Sequence, residues 1–208
     1  MFLQPSVSPS RGRRASRGFT LIELVVVVLI IGITAAMATP TLTKQVKERR
    51  ARSTAQEIAL LYSSARMRAL GRGSSVLVRY HKAERTFTVL ESVEGTGVTT
   101  AECAARPGLG CLTNDWSNVT PATGTARPVA LLTPMTELGV AVSYDGAERD
   151  VLNTCFSPLG RGFSSFADIG VMTPMAKVAT VDVVRTSGGQ GITRTVAILP
   201  NGMARLGL

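Results

Sequence analysis

The chain has one histidine, one tryptophan and three cysteines, and aromatic residues make up only 5% of its 208 positions. Each scarcity excludes something. Any Ser/His/Asp or Cys/His system would have to use His81, which stands in a basic turn with no orienting acid. Neither CxxC nor HExxH spacing occurs, so no zinc site is indicated. The stretch Ser187-Gly188-Gly189-Gln190-Gly191 lacks the lysine and following helix of a phosphate loop, and reads as a link between strands. No catalytic residue, metal ligand or cofactor is expected. Charge is sparse too, at 18% against 45% hydrophobic residues, a composition too apolar for a disordered chain. The length accommodates one ordinary domain plus an accessory segment.

The charge that is present is unevenly placed. Lys and Arg number 23 against 14 Asp and Glu, for a net +9. Arg11, Arg13, Arg14 and Arg17 precede any acidic residue, and Lys44, Lys47, Arg49, Arg50 and Arg52 are opposed only by Glu48. From Ala55 onward the charges nearly balance, so the basicity flanks one segment instead of describing a folded surface. Between Arg17 and Lys44 the single charge is Glu23, and Leu24 to Thr43 carries none. A membrane-spanning helix needs about 20 predominantly apolar residues, and LVVVVLIIGITAAMA supplies most of them. The chain is expected to be inserted in, or exported across, a membrane.

An ordinary secretory signal would be cut after Ala36-Met37-Ala38, and a plain anchor would stay uncut. Neither explains Glu23, a carboxylate that costs roughly 3 kcal/mol or more if it enters lipid unpaired. The residues Gly18-Phe19-Thr20-Leu21-Ile22-Glu23, behind a short basic leader, resemble the class III signal of type IV pilins and type II secretion pseudopilins. The resemblance implies that a prepilin peptidase cuts between Gly18 and Phe19 on the cytoplasmic face and that Phe19 becomes an N-methylated terminus. It also implies that the Glu23 carboxylate pairs with the terminal amine of a neighbouring subunit during assembly. Physically the pairing suits the site, because two charges that are each costly in lipid become tolerable together. Cations lie on both sides of the span, so its orientation rests on the resemblance. The implied division is a removed leader over 1–18, a helix over 19–72 with its transmembrane part at about 19–41, and a periplasmic domain over 73–208.

Ala51, Ala55, Ile58, Tyr62, Ala65 and Ala69 recur at steps of four and three and so share one helical stripe. That stripe is expected to pack on the chain's own sheet, and the helix before it on neighbouring subunits. Gly71 and Gly73 should stop the helix, and Gly32 and Pro40 are places for a bend or local melting. After Gly73 the period falls to two. Strands are expected at Val76 to Tyr80, Thr86 to Leu90, Val129 to Leu132, Gly139 to Tyr144, Val151 to Phe156, Val178 to Arg185 and Ile192 to Leu199. Asn201-Gly202 should turn Met203 to Leu206 back along the last of these. A helix followed by antiparallel strands is an α+β fold. Residues 93–128 read as a loop insertion, with Trp116 as a staple that pins it to the sheet.

Cys155-Phe156-Ser157-Pro158-Leu159-Gly160-Arg161 and the Pro200-Asn201-Gly202 turn resemble the Phe-x-Pro-x-Gly segment and terminal hairpin of the GspH/FimT branch of minor pilins and pseudopilins, the FimU-like group. Cys103 and Cys111 bracket a seven-residue loop whose bridging would contribute about 2 to 3 kcal/mol, with Cys155 left buried; a bridge from Cys155 to either loop cysteine is the alternative. The branch implies a non-catalytic subunit held in the inner membrane by a single pass, with its C-terminal domain in the periplasm. Its implied partners are other minor pilins, the major pilin, the inner-membrane assembly platform protein, the prepilin peptidase and a tip adhesin. The function implied is priming pilus assembly within an initiation or tip complex, or the equivalent pseudopilin role in type II secretion. Some FimT-like pilins bind DNA through a basic C-terminal region. Here that region offers only Arg194 and Arg205, too few cations for phosphate-driven affinity, so nucleic acid is the disfavoured partner.

Overall fold

The computed structural model describes residues 19–93, 110–112, 115–119, 125–167, 171–185 and 192–207, leaving out the side chains of 37–44. The chain divides into two compact units, Met1–Lys44 and Gln45–Leu208. One helix, α1 (Leu21–Arg72), enters both. Its backbone is helical through Gly32 and Pro40, so neither melts it, and it continues through Gly71. It stops at Gly73, whose φ of 67° only glycine adopts freely and whose N–H donates to the Ala69 carbonyl at 3.1 Å.

In the second unit Ala51, Ala55, Ile58, Tyr62, Ala65 and Ala69 are all buried in one core, as the spacing predicts. Four of the six are alanines, which let the helix backbone approach closely, while Tyr62 fills the centre edge-on to Phe87 and Phe156. The strands are β1 (Val76–His81), β2 (Thr86–Ser92), β3 (Ala126–Leu132), β4 (Leu138–Tyr144), β5 (Ala147–Glu148), β6 (Val151–Phe156), β7 (Gly162–Ser165), β8 (Thr173–Pro174), β9 (Ala179–Arg185), β10 (Arg194–Ile198) and β11 (Ala204–Leu206). They form two antiparallel sheets, ordered β3-β2-β1-β6-β7-β8 and β11-β10-β9-β4-β5. The architecture is the α+β one expected, an N-terminal helix on antiparallel sheets.

The expected strands all form, but β5, β7 and β8 were not foreseen, being two to four residues long with no periodic run. The expected loop over 93–128 also ends early, because Ala126 to Pro128 already pair with Ser92 to Leu90. Pro128 looks like a loop residue; it is tolerated because β3 is a sheet edge, and the pairing shifts register opposite it. The free edge of β4 is satisfied by the other sheet. Tyr80 donates its hydroxyl to the Val140 carbonyl at 3.1 Å, and Arg85 donates to the Leu138 carbonyl.

Alternation along β1, β2 and β6 sends Leu77, Leu90 and Cys155 to the sheet face opposite the main core. That apolar patch is covered by Cys111, Trp116 and Met172, making a second small core. Trp116 is therefore the staple expected. The disulfide is Cys111–Cys155, with Cα atoms 5.8 Å apart, not the Cys103–Cys111 bridge put first above. Covering Leu77 and Leu90 is what brings Cys111 over the strand that holds Cys155; Cys103 lies outside the described residues. Closing a 44-residue separation contributes about 4 kcal/mol, against about 2 to 3 for the short Cys103–Cys111 loop. Non-reducing peptide mapping of protein from an oxidising compartment is expected to return a Cys111–Cys155 peptide and one thiol, Cys103. A Cys103–Cys111 peptide, or three free thiols, would refute the assignment.

Candidate functional site

The N-terminal unit is built for helix initiation at the start of an apolar surface. Thr20 caps α1: its hydroxyl accepts the Glu23 backbone N–H at 3.3 Å and its carbonyl accepts the N–H groups of Glu23 and Leu24 at 3.1 and 3.2 Å. Thr20-Leu21-Ile22-Glu23 has the spacing of a capping box, which places the carboxylate at the third helical position, where the helix dipole favours a negative charge. This local role was not foreseen. It adds a structural reason for an acid at Glu23 beside the assembly role the resemblance implies. Phe19 and the side chains from Leu21 to Ala36 are exposed on every side of the helix. Among the described residues no helix is long and apolar enough to cross a membrane; the expected span over 19–41 runs past Ala36 into residues whose side chains are not described. Gly18 also lies outside the described residues.

The second unit contains a charged centre that the sequence pattern did not reveal. Glu91, at 1% exposure, receives Arg68 at 2.8 Å and Arg127 at 2.8 Å on one carboxylate oxygen. Arg72 at 2.7 Å and the Ser74 hydroxyl at 3.0 Å reach the other oxygen. The acid sits on β2 and the cations on the last turns of α1 and on β3, so one carboxylate fastens three segments. Burial by itself raises its pKa, but the hydrogen bonds from Arg127, Arg68 and Ser74 outweigh that and hold it below the ordinary 4.5. A signal was available. Phe87, Val89 and Glu91 alternate onto one face of β2, and Arg68 and Arg72 are one helical turn apart.

The two segments that carry the GspH/FimT resemblance meet at the end of α1. In the first, the Gly160 N–H donates to the Ser157 carbonyl at 2.8 Å and Gly160 takes a φ of 75°. In the second, the Gly202 N–H donates to the Leu199 carbonyl at 2.8 Å and the Leu199 N–H to the Met203 carbonyl at 2.9 Å. Pro200 leads the turn and Gly202, φ 79°, closes it in the left-handed region. A Cβ on Gly202 would lie 2.9 Å from Arg66 Cδ and 3.0 Å from Phe156 Cε1, so glycine is required twice over. Arg66 Nε donates to the Asn201 carbonyl at 3.1 Å and ties the hairpin to the helix.

The remaining candidates do not converge. Arg194 shares a strand face with Val196 and Ile198, whereas Arg205 pairs opposite Ala197, so the register places the two arginines on opposite faces of the sheet. His81 ends β1 opposite Thr86 and Val151 and lines an open cleft of about 480 Å³ with Arg79, Glu84 and Thr88. Among the described residues no group of three His, Cys, Asp or Glu could hold a metal ion.

The prokaryotic N-terminal methylation motif matches residues 13–39, which include Gly18, Phe19 and Glu23. No curated protein matches the chain. Among solved structures, the type IV minor pilin FimU of Pseudomonas aeruginosa strain PAO1 aligns at 12% identity and a TM-score of 0.46, over 78% of this chain and 91% of that one. The minor pseudopilin EpsH from the type 2 secretion system of Vibrio cholerae aligns at 14% identity and a TM-score of 0.43, over 76% and 94%. The chain carries the prokaryotic N-terminal methylation motif.

Proposed function

We propose that this chain is a minor type IV pilin, held in the inner membrane by residues 19–41 with its β-rich domain in the periplasm, that joins an initiation or tip complex and primes pilus assembly. The observation that supports it is the methylation motif over 13–39, with a glycine, a phenylalanine and a fifth-position glutamate in the order the processing chemistry requires. A chain whose chemistry ends in a peptidase cut and an intersubunit ion pair needs no active site of its own. Its partners are other pilin-type subunits, the assembly platform and the peptidase.

Intact mass spectrometry of the membrane-extracted protein is the direct test. The mature chain is expected to span 19–208, which is 208 − 18 = 190 residues, with one added methyl group. A chain beginning at Thr39 would end this reading. Deleting the gene should then remove surface pili and leave type II secretion intact. Lost secretion with normal pili would move the same subunit to a pseudopilus.

A further inference from the structure

A single exposed leucine is ordinary; four exposed apolar side chains brought together from three segments are not. Met67 and Leu70, on the last turns of α1, are 63% and 40% exposed, Leu159 in the segment after β6 is 82% exposed, and Met203 in the terminal hairpin is 37% exposed. They surround one contact. A Cβ on Gly160 would lie 3.4 Å from Leu70 Cδ2 and 3.5 Å from an Arg66 guanidinium nitrogen, and Arg66 Cδ lies against Gly202. Leu159 and Met203 are the chain neighbours of these two glycines. Arg161 stands exposed beside them. Among the described residues neither Arg66 nor Arg161 has a carboxylate partner: Arg66 donates to a backbone carbonyl, and only the backbone of Arg161 is engaged. Four other arginines of this unit are paired with acids, Arg50 with Glu137 and Arg68, Arg72 and Arg127 with Glu91.

We propose that this patch is a docking surface for a different pilin-type subunit, one that presents an apolar face bearing at least one carboxylate to Arg161 and Arg66. The composition is that of an interface core, since methionine and arginine are enriched there and exposed guanidiniums recognise carboxylates in a fixed fork. A second copy of this chain is the wrong occupant. A two-fold contact would set this patch against itself, bringing four guanidiniums together with no carboxylate between them, and like charges across an interface select against self-pairing. The inference rests on the subunit reading above.

The test uses the full-length chain in its own cells, with a photo-crosslinking amino acid at Met67 or Leu159 and, as a control, at exposed Leu131 on β3. Positions 67 and 159 are expected to give an adduct that mass spectrometry identifies as another protein bearing the N-terminal methylation motif, at tenfold or more the yield from position 131. Arg161→Glu should reduce that adduct at least tenfold without lowering the amount of chain, Arg161→Lys should retain most of it, and replacing the partner's facing carboxylate with arginine should restore the Arg161→Glu variant. Adducts only with a second copy, adducts with proteins lacking the motif, equal yield from position 131, or indifference to Arg161→Glu would each overturn the proposal. If the chain begins at Phe19 and enters filaments while the patch variants behave as wild type, the docking surface alone fails. A chain that does not begin at Phe19 removes the subunit reading instead.

Discussion

Cells carrying Glu23→Val in place of the native chain are expected to hold normal amounts of processed protein in the inner membrane and to incorporate very little of it into filaments. Valine lengthens the apolar run and removes an ionised group, so insertion should be unimpaired or improved. Gly18 and the basic leader are untouched, so cleavage should survive. What is lost is the carboxylate that neutralises a neighbour's terminal amine. Removing one member of a desolvated ion pair costs about 3 to 5 kcal/mol, a factor of roughly a hundred or more in docking. The position of Glu23 in the first turn of α1 demands a second variant, because the valine also removes the side chain that can complete the capping box with Thr20. Glu23→Gln keeps a polar side chain in the first turn and deletes only the charge. Subcellular fractionation and filament purification should show Gln failing as Val does. Normal incorporation of the Gln variant would mean that the charge is dispensable and that this subunit is recruited through its periplasmic domain.

The second large effect belongs to stability. Glu91→Ala leaves three guanidiniums around an empty buried position, and the loss should reach about 3 kcal/mol, at the lower end of what breaking a buried pair costs, because Arg68, Arg72 and Arg127 each retain 23–32% exposure and can turn toward water. The pH dependence has a definite sign. The folded-state pKa of Glu91 lies below its unfolded value, so its contribution is complete above about pH 4.5 and is lost as the pH falls through the folded pKa. Glu91→Gln should therefore be markedly less stable than wild type at pH 7, and the gap should narrow as wild-type Glu91 protonates. Denaturant unfolding of the full chain in detergent at pH 7 and pH 3 measures both. A gap that does not change with pH, or one below about 0.5 kcal/mol at pH 7, would show that the cluster is not holding α1, β2 and β3 together.

Local chemistry was readable from the residue order, and distant pairings were not. The uncharged run from Leu24 to Thr43, the Gly18-Phe19 and Glu23 spacing, the alanine-rich stripe from Ala51 to Ala69 and the strand periods each depend on residues within a few positions of one another. Helices repeat every 3.6 residues and strands every two, so such features survive in one dimension. The terminal turn was legible for the same reason, since proline and glycine set its backbone angles directly. The tertiary structure alone decided that Cys111 and not Cys103 faces Cys155, because that choice depends on which loop covers the outer face of Leu77 and Leu90. It alone put Arg68, Arg72 and Arg127 on Glu91, and sent Arg194 and Arg205 to opposite faces. Arg68 and Arg127 are 59 positions apart in the chain, and no periodicity links them. Their meeting follows from the burial of two apolar faces at once, which fixes the register between elements and carries the polar side chains to wherever that register places them.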